Sequence, residues 1–339
     1  MRRAIAIIAF HYEPGTHPSP PERQRNNNAM IMAIVDEFAT NVKGLRKFKV
    51  SLRMKMDDRR VYRWVAALIL SMLSVEFDQD RHAMNRPLRV AHRGGAGLAP
   101  ENTLAAFRQG LAFKADAVEL DLHMSRDGAL IVTHDPDLTR VTGTAGNIHE
   151  FTLAQLQQLN AAATYKDKTM EPQRIPTLQD VLELVRGHAK VQIEIKVRAD
   201  DTRYAGIEAK VVDAVRHYDM IDDAAVISFD FPTLRDINAL EPRLQTCALC
   251  SIPYFARFGL RRDHAKAVED IASQGFRCVG AKHTTMTERL FRAFRARDIQ
   301  VGVWTVNSEA DIRKFAAMGV HFITSDRPDL LQKWVLDAK

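Results

Sequence analysis

A (β/α)8 barrel over residues 87–339, behind a poorly ordered N-terminal extension over 1–86, is the fold this sequence predicts. Three observations predict it. Short apolar, β-branched runs alternate with amphipathic stretches, and regular strand–helix alternation means parallel strands joined by crossover helices. Eight such runs fall within roughly 250 residues, which suits a closed barrel better than an open sheet. No Gly-x-Gly-x-x-Gly opens a helix; Gly94-Gly-Ala-Gly97 lacks that spacing, so a dinucleotide-binding sheet is not indicated.

The extension comes first in the chain. His17 to Asn28 is rich in Pro, Asn and Arg and reads as disordered, and a basic stretch runs from Lys43 to Arg63. The apolar run Trp64 to Val75 predicts one helix at about 61–76. It is shorter than the ~20 residues a membrane span needs. It matches the ~7–15 of a signal-peptide core. However, it lies far from Met1 and no A-x-A cleavage site follows it, so a packed amphipathic helix is the competing reading.

From Pro87 onward the expected strands are Leu88–Ala91, Ala117–Leu122, Lys190–Ile195, Ala224–Phe229, Leu244–Leu249, Arg277–Ala281, Gln300–Val306 and Val320–Thr324. Helical periodicity marks Thr103–Phe113, Thr177–Val185, Tyr204–His217, Thr233–Leu240, His264–Gln274, Thr287–Arg297 and Ser308–Met318; Leu178, Val181, Leu182 and Val185 show the three- and four-residue steps. One segment breaks the alternation. Asp127-Gly128 between two extended runs signals a hairpin, which would fold 129–134 back on 117–124 and return His134 towards Asp121. Residues 139–176 read as an inserted loop with a short helix near Leu153–Leu159.

The chain is 46% hydrophobic and 27% charged with a net charge of +6. Residues 1–86 hold 15 Lys/Arg against 9 Asp/Glu, while 87–339 hold 33 of each. A neutral main body argues against a nucleic-acid groove. The basic extension permits a peripheral contact with an anionic membrane. Three cysteines, Cys247, Cys250 and Cys278, make no disulfide framework in a chain of this length; Cys247-Ala-Leu-Cys250 has redox or metal spacing, but in an apolar run with no helix start it reads as buried packing.

Charged residues gather where strands should end, the face on which barrels carry their chemistry. His92-Arg93 closes the first strand. Glu119 and Asp121 lie two apart on the second and so share a face. His134-Asp135 ends the hairpin arm, and Glu194-Ile-Lys196 ends the next strand. Inward carboxylates would repel one another unless a cation stood between them. Adding Glu194 makes three hard oxygen donors, which suits Mg2+ or Ca2+ rather than zinc. Arg93 and Lys196 offer positive charge to an anion, and Arg suits phosphate in shape. Two histidines can split proton transfer, one removing and one supplying. Together these groups suit phosphodiester cleavage. Separately, Glu-Leu-Asp could be a solvated strand face and Glu194–Lys196 a local ion pair.

The segments HRGGAGLAPENT, VELDLHMSRDGALIVTHD, IPTLQDVLELV, QIEIK, VGVWTVN and FITSDRP, in this order from Leu88 to Leu331, resemble the glycerophosphodiester phosphodiesterase family, within the PI-PLC-like phosphodiesterases. The resemblance implies a (β/α)8 barrel with a small insertion. It implies that His92 and His134 are the acid/base pair, that Glu119, Asp121 and Glu194 hold one divalent cation (Mg2+ or Ca2+), and that Arg93 and Lys196 hold the phosphate. Trp304 would wall the substrate pocket. The implied reaction takes small glycerophosphodiesters, such as glycerophosphocholine, to sn-glycerol 3-phosphate and an alcohol through a cyclic intermediate. Pro100-Glu-Asn-Thr103 starts the following helix, with Glu101 or Asn102 either capping or orienting a neighbour. His123 continues the Glu119/Asp121 face and reads as a further site residue or a solvated strand end.

Two alternatives stand beside this reading. One is a lysophospholipase D or sphingomyelinase-D-like barrel acting on lipids. The other is an inactive barrel serving as a binding module, against which stands the presence of every residue just named. The expected location is cytoplasmic, or exported or membrane-associated if 64–75 is a signal or anchor.

Overall fold

Alternation along each strand separates two apolar surfaces. In β1 (Leu88–Ala91), β2 (Ala117–Met124), β4 (Lys190–Ile195), β5 (Ala224–Ser228), β6 (Gln245–Cys250), β7 (Cys278–Lys282), β8 (Gln300–Trp304) and β9 (Phe322–Ser325), one set of side chains packs on the helices and the other fills the barrel. In β2, for example, Val118, Leu120 and Leu122 are fully buried against helices. The computed structural model describes residues 86–259 and 264–336, together with the backbone of 9–11 and 51–53.

The strands pair in parallel in the order β1-β9-β8-β7-β6-β5-β4-β2, and pairing of β1 with β2 closes the ring. This is the expected barrel, with observed bounds within about two residues of those read from the sequence. The hairpin forms as expected: β3 (Leu130–Val132) runs antiparallel to β2, with Leu122 opposite Val132 and His123 opposite Ile131. Fully buried Phe107, Phe276, Phe294 and Phe315 fill the layer between barrel and helices. Truncating one such ring to Ala costs about 3–5 kcal/mol. The lumen holds Val90, Ala117, Ile227, Cys247, Leu249 and Phe322. Phe322 lies where Gly302 has no side chain; a Cβ there would stand 2.0 Å from the ring, so the lumen depends on that glycine.

Side-chain caps fix where five of the helices begin. Thr103, Thr177, Asp230, Thr287 and Ser308 each accept a bond from a backbone N–H in the first turn, satisfying donors that a helix otherwise leaves open. A terminal helix, Pro328–Leu336, adds to those expected. The insertion after β3 is more structured than a loop. It contains α2 (Thr139–Thr142), a 3-10 turn at Ile148–Glu150 and a helix at Leu153–Leu156, over its own core of Ile131, Leu138, Ile148, Leu156 and Ile175.

The cysteine expectation is corrected. Cys247 and Cys278 form a disulfide, and Cys250 is the buried free thiol. The β6–β7 register places Ala248 beside Val279, which brings the two Cα atoms to 4.5 Å in the lumen. Spacing in the sequence does not reveal that register.

The chain divides into two units, Met1–Gln79 and Asp80–Lys339. In the first, Ala9–His11 and Ser51–Arg53 pair in parallel, where the sequence predicts no strand. The expected helix at 61–76 and the polar 17–28 segment lie outside the described residues. Among the described residues, no helix is long and apolar enough to cross a membrane.

Candidate active site

The C-terminal rim of β1, β2 and β4 gathers the charged residues. After Ala91 the chain enters a 3-10 turn, His92–Gly94, in which Arg93 takes the left-handed conformation (φ 49°, ψ 36°). That conformation costs a non-glycine residue about 1–2 kcal/mol. It is held by what it enables: the Arg93 N–H donates to Glu119 Oε2 at 2.9 Å, and the guanidinium reaches Glu101 at 2.8 Å and Asp121 at 3.2 Å. Gly94 lets this turn rest on the next helix, α1 (Leu104–Ala112), because a Cβ there would lie 2.6 Å from the Phe107 nitrogen.

Glu119 and Asp121 face inward from β2, and the register pairs Asp121 with Glu194 on β4. All three are buried, and one carboxylate oxygen from each lies within 4.8 Å of the others. Lys196 Nζ lies 2.9 Å from Asp121 Oδ1 and also bonds Glu194, so the sequence's local ion pair is one arm of a larger cluster. Asn102 donates to Asp121 Oδ2 at 2.8 Å, while Thr103 performs the capping. The PENT segment therefore does both jobs weighed for it.

Three carboxylates face Lys196 and Arg93, and Arg93 is shared with Glu101. The imbalance shows in the direction in which each carboxyl is pushed. Burial and then the Asp121 charge raise the pKa of Glu119, and burial outweighs Lys196 in raising that of Glu194. Asp121 is lowered in spite of its burial, because Lys196 and Arg93 stand against it. A buried set of oxygens with uncompensated negative charge fits a hard divalent cation.

The two histidines are built alike. His92 Nδ1 bonds Asp326 Oδ1 at 2.6 Å, and its Nε2 lies 3.9 Å from Glu119. His134 Nδ1 bonds Asp135 Oδ1 at 2.6 Å. A carboxylate only accepts, so each Nδ1 carries the proton and each Nε2 is left to exchange one. Burial would lower the pKa of His92, but Glu119 and Asp326 outweigh it and the net shift is upward. His134 is lowered, by burial and then by Lys196.

His123 is neither a site residue nor a solvated strand end. It is fully buried, with Nδ1 on the Tyr204 hydroxyl at 2.9 Å and Nε2 on the His134 carbonyl at 3.0 Å. Burial brings its pKa down to about 4, so the ring is neutral and braces the backbone of His134.

Trp304, at the end of β8, stands on the other side of the rim. Its Nε1 donates to the Gly280 carbonyl at 2.9 Å, its ring meets exposed Phe229 edge-to-face at 5.5 Å, and Lys282 Nζ lies 5.2 Å from its ring centre. The structure thus brings His92, Arg93, Glu119, Asp121, His134, Glu194 and Lys196 together, with Trp304 across the mouth. Sequence reasoning missed Asp326, Asn307 (which donates to Asp326 at 2.6 Å) and Phe229 as parts of this rim, and it placed Asp135 there without giving it a partner. Asp326 directly follows β9, which is the signal that could have found it.

Residues 92–330 match the model of the glycerophosphoryl diester phosphodiesterase family. The chain belongs to this family. A glycerophosphodiester phosphodiesterase of Bacillus subtilis is 31% identical over 262 residues, covering 74% of this chain and 86% of that protein. One from Caldanaerobacter subterraneus is 29% identical over 248 residues, covering 73% and 96%. The crystal structure of a glycerophosphodiester phosphodiesterase from Agrobacterium tumefaciens superposes with a TM-score of 0.61 at 28% identity, covering 73% of this chain and 99% of that one. The family places the chain among enzymes, as a glycerophosphodiester phosphodiesterase (a phosphoric diester hydrolase), and the barrel is the family's fold.

Proposed function

We propose that the chain hydrolyses glycerophosphodiesters such as glycerophosphocholine and glycerophosphoethanolamine to sn-glycerol 3-phosphate and the free alcohol. In this reading Glu119, Asp121 and Glu194 hold one divalent cation, Mg2+ or Ca2+. The observation that carries it is the convergence of three buried carboxylates with two imidazoles, each anchored through Nδ1, on a single rim. When bound, the cation would polarise the phosphoryl oxygens and offset charge developing on them.

The chain's own residues do the rest. Arg93 and Lys196 supply positive charge beside the phosphate. Nε2 of one histidine takes the proton of the substrate's neighbouring hydroxyl, whose oxygen bonds to phosphorus. Nε2 of the other protonates the departing alcohol oxygen as its P–O bond breaks. The same pair with roles exchanged then admits water, which opens the cyclic phosphate. Trp304 and Phe229 wall the departing alcohol.

Phe229, an exposed aromatic ring on this rim, favours a second reading in which a lipid chain is accommodated, as in a lysophospholipase D. Assays with Mg2+ or Ca2+ compare glycerophosphocholine and glycerophosphoethanolamine with lysophosphatidylcholine. Turnover of the two water-soluble diesters is expected, and a preference for the lysolipid would replace the first reading with the second. Exhaustive chelation should abolish turnover; undiminished activity afterwards rules out the cation. His134→Ala should lower kcat by about 10²-fold or more.

For cellular placement we favour an exported enzyme over a cytoplasmic one, since a bridge such as Cys247–Cys278 persists in oxidising compartments. Counting free thiols in the native protein tests this: one is expected, and three would return the reading to the cytoplasm.

A further inference from the structure

Arg140 lies in α2, at the start of the insertion, and its guanidinium is shared between two carboxylates. Nη1 donates to Glu101 Oε2 at 3.0 Å, Nη2 to Glu101 Oε1 at 2.6 Å, and Nε to Asp135 Oδ2. Each of those carboxylates has a second partner. Glu101 Oε1 accepts from Arg93 at 2.8 Å, and Asp135 Oδ1 bonds His134 Nδ1 at 2.6 Å. The contacts form one continuous line, Arg93–Glu101–Arg140–Asp135–His134. Its two ends sit on the β1 turn and on the hairpin arm, and β1 and β3 are not paired in the sheet. Further along the insertion, the Thr164 hydroxyl donates to the Arg140 carbonyl, which ties that loop to the same point.

An ion pair between exposed groups contributes little. Half-exposed Arg140 would be such a case if it met one carboxylate. Instead its planar fork meets Glu101 with two parallel bonds and Asp135 with the remaining edge, a geometry that sets angles as well as charge. A mere tether for the insertion would need only one of these arms. Both arms end on groups that themselves grip rim residues.

We propose that Arg140 is a positioning residue for the diesterase reaction, locking the His134 imidazole and the Arg93 guanidinium into a fixed relation beside the carboxylate cluster. The inference rests on the reading of His134 as a proton carrier and Arg93 as a phosphate holder. Misplacing a reacting group by about 1 Å can cost ~10²-fold in rate. Loss of the strut should therefore appear in kcat more than in KM.

The test uses the full chain with Arg140→Ala and Arg140→Lys, assayed on glycerophosphocholine with the cation that supports the wild type. Expected for Arg140→Ala is a kcat lower by about 10–10²-fold with KM changed less than about threefold. Added guanidinium should restore part of that rate, and should do nothing for His134→Ala. Arg140→Lys, with charge but no fork, should recover little. The Nδ1 proton resonance of His134, slowed in exchange by its bond to Asp135, should weaken in Arg140→Ala. Retention of kcat within twofold, or full recovery by Arg140→Lys, overturns the proposal. If Arg140→Ala fails to fold, Glu101→Gln interrupts the same line with almost no change of shape, and an unchanged kcat there overturns it equally. Should His134→Ala itself keep its rate, the proton-transfer reading falls instead; the resonance still decides whether Arg140 holds that ring.

Discussion

The two rims of the barrel use the same kinds of side chain to opposite ends. At the N-terminal rim, Asp116 accepts bonds from Nη1 and Nη2 of Arg86 at 2.6 and 2.9 Å, and from Arg89 through its N–H, Nε and Nη2 at 2.9, 3.1 and 3.0 Å. There, one carboxylate meets two cations, and its pKa is lowered well below the ordinary range although burial opposes this. At the C-terminal rim, three buried carboxylates share Lys196 and Arg93, and Glu119 is raised instead. The lower rim is satisfied within the chain. The upper rim is left with negative charge that the chain does not balance. A fold retains such an arrangement at a cost to its own stability, which is why the imbalance reads as a site and the balanced rim as a fastening.

That contrast can be broken, and the largest effect should come from the upper rim. Glu194→Gln removes a proposed cation ligand, and the cation's share of transition-state stabilisation is several kcal/mol. Turnover should fall about 10²-fold or more. Thermal unfolding of the metal-free protein should hold steady or rise, since one like charge has gone. A metal-free Tm that drops by several degrees would show the cluster to be a structural network.

Asp116→Ala should do the reverse. It strands Arg86 and Arg89, and breaking a buried pair costs about 3–5 kcal/mol; partial exposure here brings the expectation to about 2 kcal/mol. For a domain of this size that is a fall in Tm of roughly 4–8 °C, with kcat within twofold of the wild type. A large loss of kcat without loss of Tm would mean that the rims are coupled.

A subtler separation comes from pH. Asp116 has a depressed folded pKa, so its stabilisation is complete above the unfolded value of about 3.9 and is lost only as pH falls below it. Glu119 has a raised folded pKa, so the native state binds the extra proton and metal-free stability declines as pH rises from the unfolded value of about 4.3. Denaturant titrations of metal-free protein across this range should show the decline, and Glu119→Gln should make it shallower, leaving the share of Glu194. An unchanged slope in that variant would assign the decline to other groups. The smallest effect is expected for Arg86→Ala alone, about 1 kcal/mol or less, because Arg89 still holds Asp116 and Arg86 is partly exposed.

Much of this molecule was legible before any coordinates. The β/α alternation, the Asp127-Gly128 hairpin and the shared face of Glu119 and Asp121 are local patterns with a period of two or about 3.6, and local sterics dictate them. Order along the chain therefore placed His92, Arg93, Glu119, Asp121, Glu194 and Lys196 at strand ends.

Other features depend on which strands become neighbours and in what register, and no local pattern carries that. His92 meets Asp326 only because the last strand returns to the first when the ring closes, 234 residues later in the chain. Cys247 meets Cys278 only in the register that β6 and β7 adopt, and His123 is a brace rather than a ligand because the hairpin lays His134 over it. By itself, the sequence determined which side chains would sit at the ends of the strands. Tertiary structure alone decided which of them touch, because ring closure and register bring together residues that no short stretch of chain can relate.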